Sequence, residues 1–537
     1  MVEIRIDLPL GYTEEDVRRA VCRSIPITEE ELWRVTVRRE LLVTEARPDL
    51  FYRLDVGICS TPEKEAGLLK MRKRVRAVIP HRLSVPRVCP SVRPVVVGAG
   101  PAGLFAALLL ARAGARPLLL ERGRPVEERS RHVRRFFATG ELDETSNVAF
   151  GEGGAGAFSD GKLKLGARDK YNRFVLHTLV AHGAPEDILY RAMPHVGTDR
   201  LCEVVRRMRE QLLSLGAEIR FGATLTDLIA SDGTLRAVRY ETAGEVHEVP
   251  TDTVLLATGH SARDVYELLR RRQVAMEARG FGIGVRIEHP RAYIDRLIYG
   301  GEQPALGAAS YHLVTHLKDG RGVYSFCMCP GGEVISSATE AGGLVTNGMS
   351  EHRRDGVNSN AALLVSVTPQ DFPSDDPLAG IALQRSIETA AFRLGGGRFH
   401  APVQRLDDLM HGRQTTAFGE VKPTYPQGTA FVPLPEYLPE FVTNSLQNGI
   451  KDMDAWLPGY AMADAVLTGP ETRSTSPVRV LRDADTLMST SLAGLYPCGE
   501  GAGYGGGIVS SAVDGLRAAE AYLLSRASIS AEHLSLL

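Results

Sequence analysis

The chain has 537 residues, of which 44% are hydrophobic and 24% charged, with a formal net charge of −2 at neutral pH. That length holds about three or four domain-sized units, and the composition is that of an ordinary folded protein. The near-neutral balance gives no global attraction to nucleic acid or an anionic membrane, and seven scattered cysteines without framework spacing point to free thiols in a reducing, cytoplasmic setting.

Residues 1–88 read as a small α+β domain. Residues 3–8 alternate as a strand, with no signal-like apolar region. Thr13 caps a predicted helix running to residue 23, with Glu14, Glu15 and Asp16 in its first turn. Thr28-Glu29-Glu30-Glu31 has the form of a capping box before a second short helix. Residues 34–46 and 50–58 read as strands joined by the turn Arg47-Pro48-Asp49, a β-α-β-β order. The following segment carries Lys70, Arg72, Lys73, Arg74, Arg76, Arg82 and Arg87 among Pro80, Pro86 and Pro90. It reads as a solvated linker in preference to a polyanion site.

The apolar run 94–97 then breaks into Gly98-x-Gly100-x-x-Gly103, followed by an alanine- and leucine-rich helix too short to span a bilayer. In a strand–turn–helix that binds a dinucleotide, Gly98 permits the tight turn. Gly100 lets the backbone approach a pyrophosphate, and Gly103 lets the helix pack close to the sheet. The phosphates would sit on the unpaired N–H groups of the helix that starts near Pro101 and Ala102. A second apolar run, 117–120, ends in Glu121 and Arg122. Glu121 falls about 20 residues after the glycines, where a carboxylate accepts bonds from ribose hydroxyls, and Arg122 is grouped with the cofactor contacts. The basic patch 129–135 offers either an arginine to a phosphate or a solvated face.

Residues 150–163 are dense in glycine. Gly153, Gly154, Ala155 and Gly156 can turn consecutive N–H groups inward as an anion nest, with Ser159, Asp160 and Lys162 adding polar contacts. Flanking aromatics argue for a packed loop. A helix over 198–215, strands at 218–221 and 224–230, and a hairpin of 235–241 with 245–249 follow. The run 253–256 is a buried strand that ends in Ala257-Thr258-Gly259, where small residues admit a cofactor to the backbone. A helix near 262–272 comes next. From 275 to 479 the punctuation by Gly and Pro is heavy. Strands at 283–288, 308–314 and 323–328, with a helix at 381–394, read as an inserted, mainly antiparallel substrate domain. Residues 494–500 form another short strand ending in Gly499 and Glu500, followed by glycine-rich 501–507 and a helix through 513–524. The expected division is 1–88, 89–274, 275–480 and 481–537.

Three separated motifs thus agree: Gly98 to Gly103 with Glu121, Ala257-Thr258-Gly259, and 494–500 with its glycine-rich helix start. Together they resemble the FAD-binding domain of the glutathione-reductase-like flavoprotein superfamily. There the third motif usually reads Gly-Leu-Tyr-x-x-Gly-Asp, whereas here the acid is Glu500, one methylene longer. The chain resembles more closely still a bacterial family of FAD-dependent dehydrogenases, through residues 151–163, 284–290, 326–332, 347–350 and 471–479. The resemblance covers most of the chain and is weakest in 1–88. It implies FAD, redox chemistry and an α/β fold, with a Rossmann-like, mainly parallel sheet assembled from discontinuous segments and covered by helices on both faces. It supplies no substrate.

NAD alone accounts for the first motif but not for the closing one. A flavin also needs a helix N-terminus near its pyrimidine oxygen, for which Gly506, Gly507 and Ile508 are the candidates. Gly280-Phe281-Gly282-Ile283-Gly284 runs into a strand-like segment and Pro290, so no second nicotinamide domain opens there. NAD(P)H is expected only as a transient external donor, the alternative reductant being a protein. Candidate catalytic residues are Cys327 and Cys329, which strand spacing places on one face as thiols near the flavin or as packing. C-x-C spacing in an extended strand strains disulfide geometry and argues against an active disulfide. His289 is a proton donor or a structural histidine, and it shares its segment with Arg286. Tyr311 and Arg353 are candidates for orienting an anionic substrate. Arg473 and Arg479 either face the flavin or pair with Asp483 or Asp485. The leading expectation is an FAD-dependent oxidoreductase passing a hydride between flavin and a small organic substrate. A flavin-dependent RNA-modifying enzyme and a non-catalytic flavoprotein with a partner-binding N-terminal domain are the alternatives. The neutral charge and lack of a basic aromatic domain weigh against RNA. No nucleic acid, membrane or metal partner is expected.

Overall fold

The computed structural model describes residues 1–45, 49–78, 83–166, 169–301, 303–527 and 532–536. Ala46, Arg47 and Pro48 of the expected strand end and turn, and Pro80 and Arg82 of the basic segment, lie outside the described residues.

A five-stranded parallel sheet organises the molecule, in the order Leu495–Pro497, Val254–Leu256, Val95–Val97, Leu118–Glu121, Glu218–Phe221. Its three middle strands and Leu495–Pro497 are buried throughout, as their uninterrupted apolar sequences require. On one face lies helix Pro101–Arg112, in which every residue from Ala102 to Ala111 is buried. Helices Thr198–Ser214 and Ile508–Arg526 cover it, and this is why its sequence is apolar all round. Helix Ile508–Arg526 approaches at backbone distance, since a Cβ on Gly515 would stand 2.1 Å from Ala102 O. The opposite face is closed by an antiparallel sheet of Thr224–Ser231, Thr234–Thr242 and Glu245–Pro250.

The chain leaves this unit through Met276–Ala278 and returns through Val478–Val480, and the two crossings pair antiparallel. Between them a seven-stranded sheet runs Val314–His316, Gly322–Cys329, Asn358–Val367, Phe281–Pro290, Val466–Glu471, Ala401–Arg405, Thr429–Phe431, antiparallel except for its last pair. Helices Ala379–Leu394 and Glu440–Trp456 pack into its core. The N-terminal sheet has the order Arg34–Val43, Phe51–Cys59, Val2–Pro9, Val75–Ala77. Its edge residue Glu40 accepts the Ala192 N–H and donates to Tyr190 O, each at 2.8 Å, and this ties the edge to the rest of the chain.

Four expectations are corrected. Glu31 does accept the Thr28 N–H, but no helix follows, because the Trp33 N–H is taken by Cys59 O and strand Arg34–Val43 begins at once. Within the basic segment, Val75–Ala77 is not solvated linker but a strand paired with Val2–Ile4. Of residues 308–314 only Val314 is in a strand. Asp295 takes the Ala309 N–H and Ser325 Oγ takes that of Leu313, so the ladder begins late. Helices Arg291–Tyr299 and Glu440–Trp456 occupy a region read as poor in helix. Among the described residues no helix is long and apolar enough to cross a membrane.

Candidate functional site

The carboxyl ends of the parallel strands open into a cleft. Of the residues nominated for the cofactor, Gly98, Gly100, Pro101, Ala102, Glu121, Arg122, Gly154, Ala155, Gly156, Ser159, Lys162, Thr258, Gly259, Glu500, Gly506, Gly507 and Ile508 line it. Gly103, Gly153, Asp160 and Gly499 sit behind its wall. Gly98 has φ +103°, and a Cβ there would stand 2.4 Å from Ala257 O, while one on Gly103 would stand 1.8 Å from Gly98 O. The first and second motifs are thus pressed together with no room for side chains. The third motif joins them, with the Cys498 N–H on Leu256 O at 3.0 Å and Tyr266 Oη donating to Gly501 O at 2.6 Å.

Two helix N-termini face this space. Helix Pro101–Arg112 begins after Gly100, and helix Ile508–Arg526 after Gly507. Seven residues, about 10 Å of helical rise, separate the start of the second from Gly515, where it crosses the first. The glycine-rich loop spans both starts. A Cβ on Gly154 would lie 3.0 Å from Gly100 Cα, and one on Gly156 would lie 3.1 Å from Ile508 Cγ1. Unpaired N–H groups and positive dipole ends at two points suit a ligand with a pyrophosphate at one and an electron-rich ring at the other. The Gly506 N–H is engaged by Ser510 Oγ at 3.0 Å, which leaves Gly507 and the first turn of the helix as the free donors there. A Cβ on Gly506 or Gly507 would meet nothing within 4 Å, so the space in front of this helix is open. These residues fit an FAD.

The loop is held from below by Arg129, which is fully buried. Its guanidinium donates to five main-chain carbonyls, those of Asn147 (2.8 Å), Val148 (2.8 Å), Gly151 (3.2 Å), Glu152 (2.6 Å) and Gly154 (2.9 Å). It also lies 4.7 Å over the Phe158 ring. The patch 129–135 thus points one arginine inward, to the loop rather than to a phosphate, while Arg131, Arg134 and Arg135 are solvated. Glu121 accepts the N–H groups of Ala99 (2.7 Å), Gly123 (2.9 Å) and Gly151 (3.0 Å), which fills three of the about four acceptor positions of a carboxylate and leaves one for the cleft. Arg122 pairs with Asp264 at 2.9 Å and stacks 4.4 Å over Phe150. Asp160 does not reach the cleft. It ties the loop to the seven-stranded unit through Arg354 (2.8 Å from Nε) and Ser350, and pairs within the loop with Lys162 at 3.7 Å. Burial opposes its ionisation, but Lys162, Arg354 and Ser350 outweigh that and hold its carboxyl down to about 2. Ser159 Oγ donates to Gly156 O and accepts the Gly161 N–H, closing the loop on itself.

The opposite wall comes from the seven-stranded unit, through Phe326, Cys327, Asn347, Glu471, Arg473 and Ser474. Of the five catalytic candidates only Cys327 reaches the cleft. Arg286 is fully buried behind it, bidentate on Glu471, with its Nη1 on Cys327 O (2.8 Å) and Asn360 Oδ1 (3.0 Å) and its Nη2 on Asn347 Oδ1 (2.9 Å). Glu471 keeps the Arg286 charge favoured despite burial. Cys329 is buried next to Arg286. His289 is away from the cleft, with Nε2 on Tyr460 O at 2.9 Å and its ring between Tyr293 and Tyr460. Burial draws it down to about 4, so it is neutral at physiological pH. Tyr311 packs edge-on against Tyr460. His289 is a core residue because its strand Phe281–Pro290 is central in its sheet and is covered at that end, and Tyr311, outside any strand, is half-buried against the same core. Arg353 is 80% exposed and pairs with Asp355.

Arg473 lines the cleft but pairs with neither Asp483 nor Asp485. It shares the buried Glu388 with Arg263, at 2.8 Å from each, and Gln384, Glu340 and Thr472 complete the cluster. Arg479 lies by Glu277 and Tyr504. Asp483 instead caps the turn at Thr486. His260 and Glu500 meet in the cleft at 3.8 Å. Burial with Arg473 and Arg263 pulls His260 down to about 4, and burial with Cys327 pushes Glu500 up to about 7. His260, Asn347 and Glu388 carry no role in the sequence reading, and Arg129 enters it only within the patch 129–135, as one of the arginines offered to a phosphate. Asn347 and Glu471 fall in segments on which the family resemblance rests, and that was their one signal.

Residues 280–474 match the family described as "FAD-dependent protein, C-terminal domain-like", and residues 91–135 match "FAD binding domain". A Clostridium beijerinckii protein described as uncharacterized is 43% identical over 526 residues, covering 96% of this chain and 97% of that one. Among solved structures, the flavin-dependent brominase Bmp2 is 11% identical with a TM-score of 0.37, over 82% of this chain and 81% of that one. A halogenase PltM variant in complex with FAD is 10% identical with a TM-score of 0.38, over 81% and 70%. An E. coli quinol fumarate reductase FrdA variant is 13% identical with a TM-score of 0.35, over 82% and 71%. The activities of these three proteins do not transfer at such distances.

Proposed function

The chain belongs to the same family as the clostridial protein, one that joins an FAD-binding domain to an FAD-dependent-protein C-terminal domain, and its cofactor is FAD; from this we propose an oxidoreductase that passes a hydride between flavin and a small organic substrate. One observation carries the reading. The helix start at Gly507 and the wall of Phe326, Cys327, Asn347 and Ser474 line one cleft, although they come from opposite sides of the domain crossing. The glycine loop and the start of helix Pro101–Arg112 would hold the pyrophosphate, Glu121 the ribose, and the helix starting at Ile508 the negative charge of the reduced ring. When bound, FAD supplies two-electron chemistry.

The protein's own residues then orient, exclude water and hold protons. Arg286 fixes the Cys327 carbonyl and Asn347, so the wall is set from behind. Glu500, pushed up to about 7, can hold or release a proton within the cleft near neutral pH. The substrate is a small molecule, the reductant NAD(P)H docking transiently or a protein, and the setting the cytoplasm. Anaerobic stopped-flow mixing with NADH and NADPH, followed by an acceptor screen, tests the reading. The expected result is flavin bleaching by a donor and recovery with one acceptor class. Bound flavin that no donor reduces and no acceptor reoxidises would leave a non-catalytic flavoprotein.

A further inference from the structure

Strand Gly322–Cys329 does not keep its register against Asn358–Val367. Phe326 pairs with Ala362 and Cys329 with Asn360, so three steps on one strand meet two on the other. This is a β-bulge, and its extra residue is held at Cys327 with φ +40°, a left-handed conformation that a cysteine seldom adopts. Such backbone persists only where its surroundings fix it. Here Arg286 holds the Cys327 carbonyl, itself anchored on Glu471, Asn347 and Asn360. Gly348 leaves the space, since a Cβ there would stand 2.8 Å from Cys329 Sγ. The bulge overturns the expectation of two thiols on one face of a regular strand. It also removes the extended geometry that made a C-x-C disulfide strained. Cys329 Sγ donates to Cys327 O at 3.3 Å, both thiols are free, and Cys327 faces the cleft while Cys329 is buried behind it.

We propose that Cys327 and Cys329 form a redox-active dithiol that exchanges an electron pair with the FAD, with Cys327 as the thiol facing the cleft. This rests on FAD occupying that cleft. In the oxidising direction the thiolate–thiol pair loses two electrons and its one proton and gains one S–S bond. Both electrons and that proton would be taken up by oxidised FAD, which leaves no further proton to place. The surroundings favour the thiolate this step starts from. The Cys329 side chain beside it outweighs burial, and Arg286 and Lys162 add to this, so Cys327 is drawn down to about 5 while its partner is pushed up. The pair holds one proton between them.

Two readouts test this without reference to turnover. The tryptic peptide 322–353 contains Cys327 and Cys329 and none of the other cysteines. After oxidation of the holoprotein with diamide and denaturing alkylation, this peptide is expected to carry no label, and after prior reduction two. Anaerobic dithionite titration of the diamide-oxidised holoprotein, freed of diamide, is expected to consume two electron pairs per FAD, and one in Cys327→Ser treated alike and with full FAD content. Full alkylation of the peptide after oxidation, or one electron pair in the oxidised protein without the substitution, overturns the dithiol. A protein without FAD would instead defeat the functional reading, and the alkylation result would still stand on its own.

Discussion

Arg129→Met removes the side chain on which the glycine-rich loop is folded. Five donors are lost. Gly151 O keeps the Gly154 N–H, so the carbonyls of Asn147, Val148, Glu152 and Gly154 lose the donor that Arg129 gives them. At the low end of about 1 kcal/mol for each orphaned buried acceptor, the loop forfeits roughly 4 kcal/mol. Water entering the space vacated by the guanidinium would recover about half of that. Some 2 kcal/mol then falls on the ordered loop that bridges both helix starts, or about 30-fold in FAD affinity. Fluorescence titration of apoprotein with FAD measures it, with far-UV circular dichroism to check that the parallel sheet and its helices persist. Arg129→Lys, with three donors on a point charge, is expected between the two. A folded Arg129→Met protein that binds FAD within about three-fold of the unmodified one would refute the clamp.

Gly98→Ala puts a Cβ 2.4 Å from Ala257 O at φ +103°, so the purified variant is expected to carry little or no flavin by its visible absorbance. Glu388 lies between Arg263 and Arg473, and although burial opposes its ionisation the two arginines hold it down to about 2. Its contribution is therefore complete above its ordinary value of 4.5 and is lost as pH falls through about 2. Glu388→Gln should cost about 3–5 kcal/mol at neutral pH and flatten the acid limb of the denaturation profile between those values. Glu500 ionises near pH 7, so a carboxylate appears beside the anionic cofactor above that pH. FAD affinity is expected to fall as pH rises through 7, and Glu500→Gln should abolish that inflection in a pH series of titrations. His289→Phe, far from the cleft, should leave FAD affinity and donor reduction within about two-fold, as stopped-flow kinetics would show.

The parallel sheet was legible because its strands are buried on both faces and end in glycine or acid at their carboxyl ends, which marks both the element and the side where the ligand lies. Val95–Val97, Val254–Leu256 and Leu495–Pro497 stand side by side in the sheet although some 160 and 240 residues separate them, and the small residues after each predicted that they meet. The opposite wall was not legible. Arg286, Glu288 and His289 are neighbours in sequence, yet alternation along a strand and its central position bury all three. Arg286 goes to the bulge, Glu288 to Thr424 and His289 to Tyr460. Nothing local distinguishes such a residue from a catalytic one, because the distinction lies in which partner strands cover it. The bulge at Cys327 is of the same kind. Its cause is Arg286, 41 residues away in sequence, and the pattern Tyr324 to Cys329 reads as an ordinary strand without it. Arg129 hid within a basic run for a related reason, since periodicity marks the inward face of a helix but not a charged residue chosen to occupy it.

The most direct test is a comparison of FAD and FMN binding to the apoprotein by calorimetry. If the Gly98–Gly103 turn and the start of helix Pro101–Arg112 hold a dinucleotide pyrophosphate while the helix starting at Ile508 receives the ring, FAD binds one per chain. FMN, lacking the adenosine half, then binds at least about 100-fold more weakly. Equal affinity for the two would show that the glycine turn holds no part of the cofactor, and would contradict the assembly of the site from three segments of the chain.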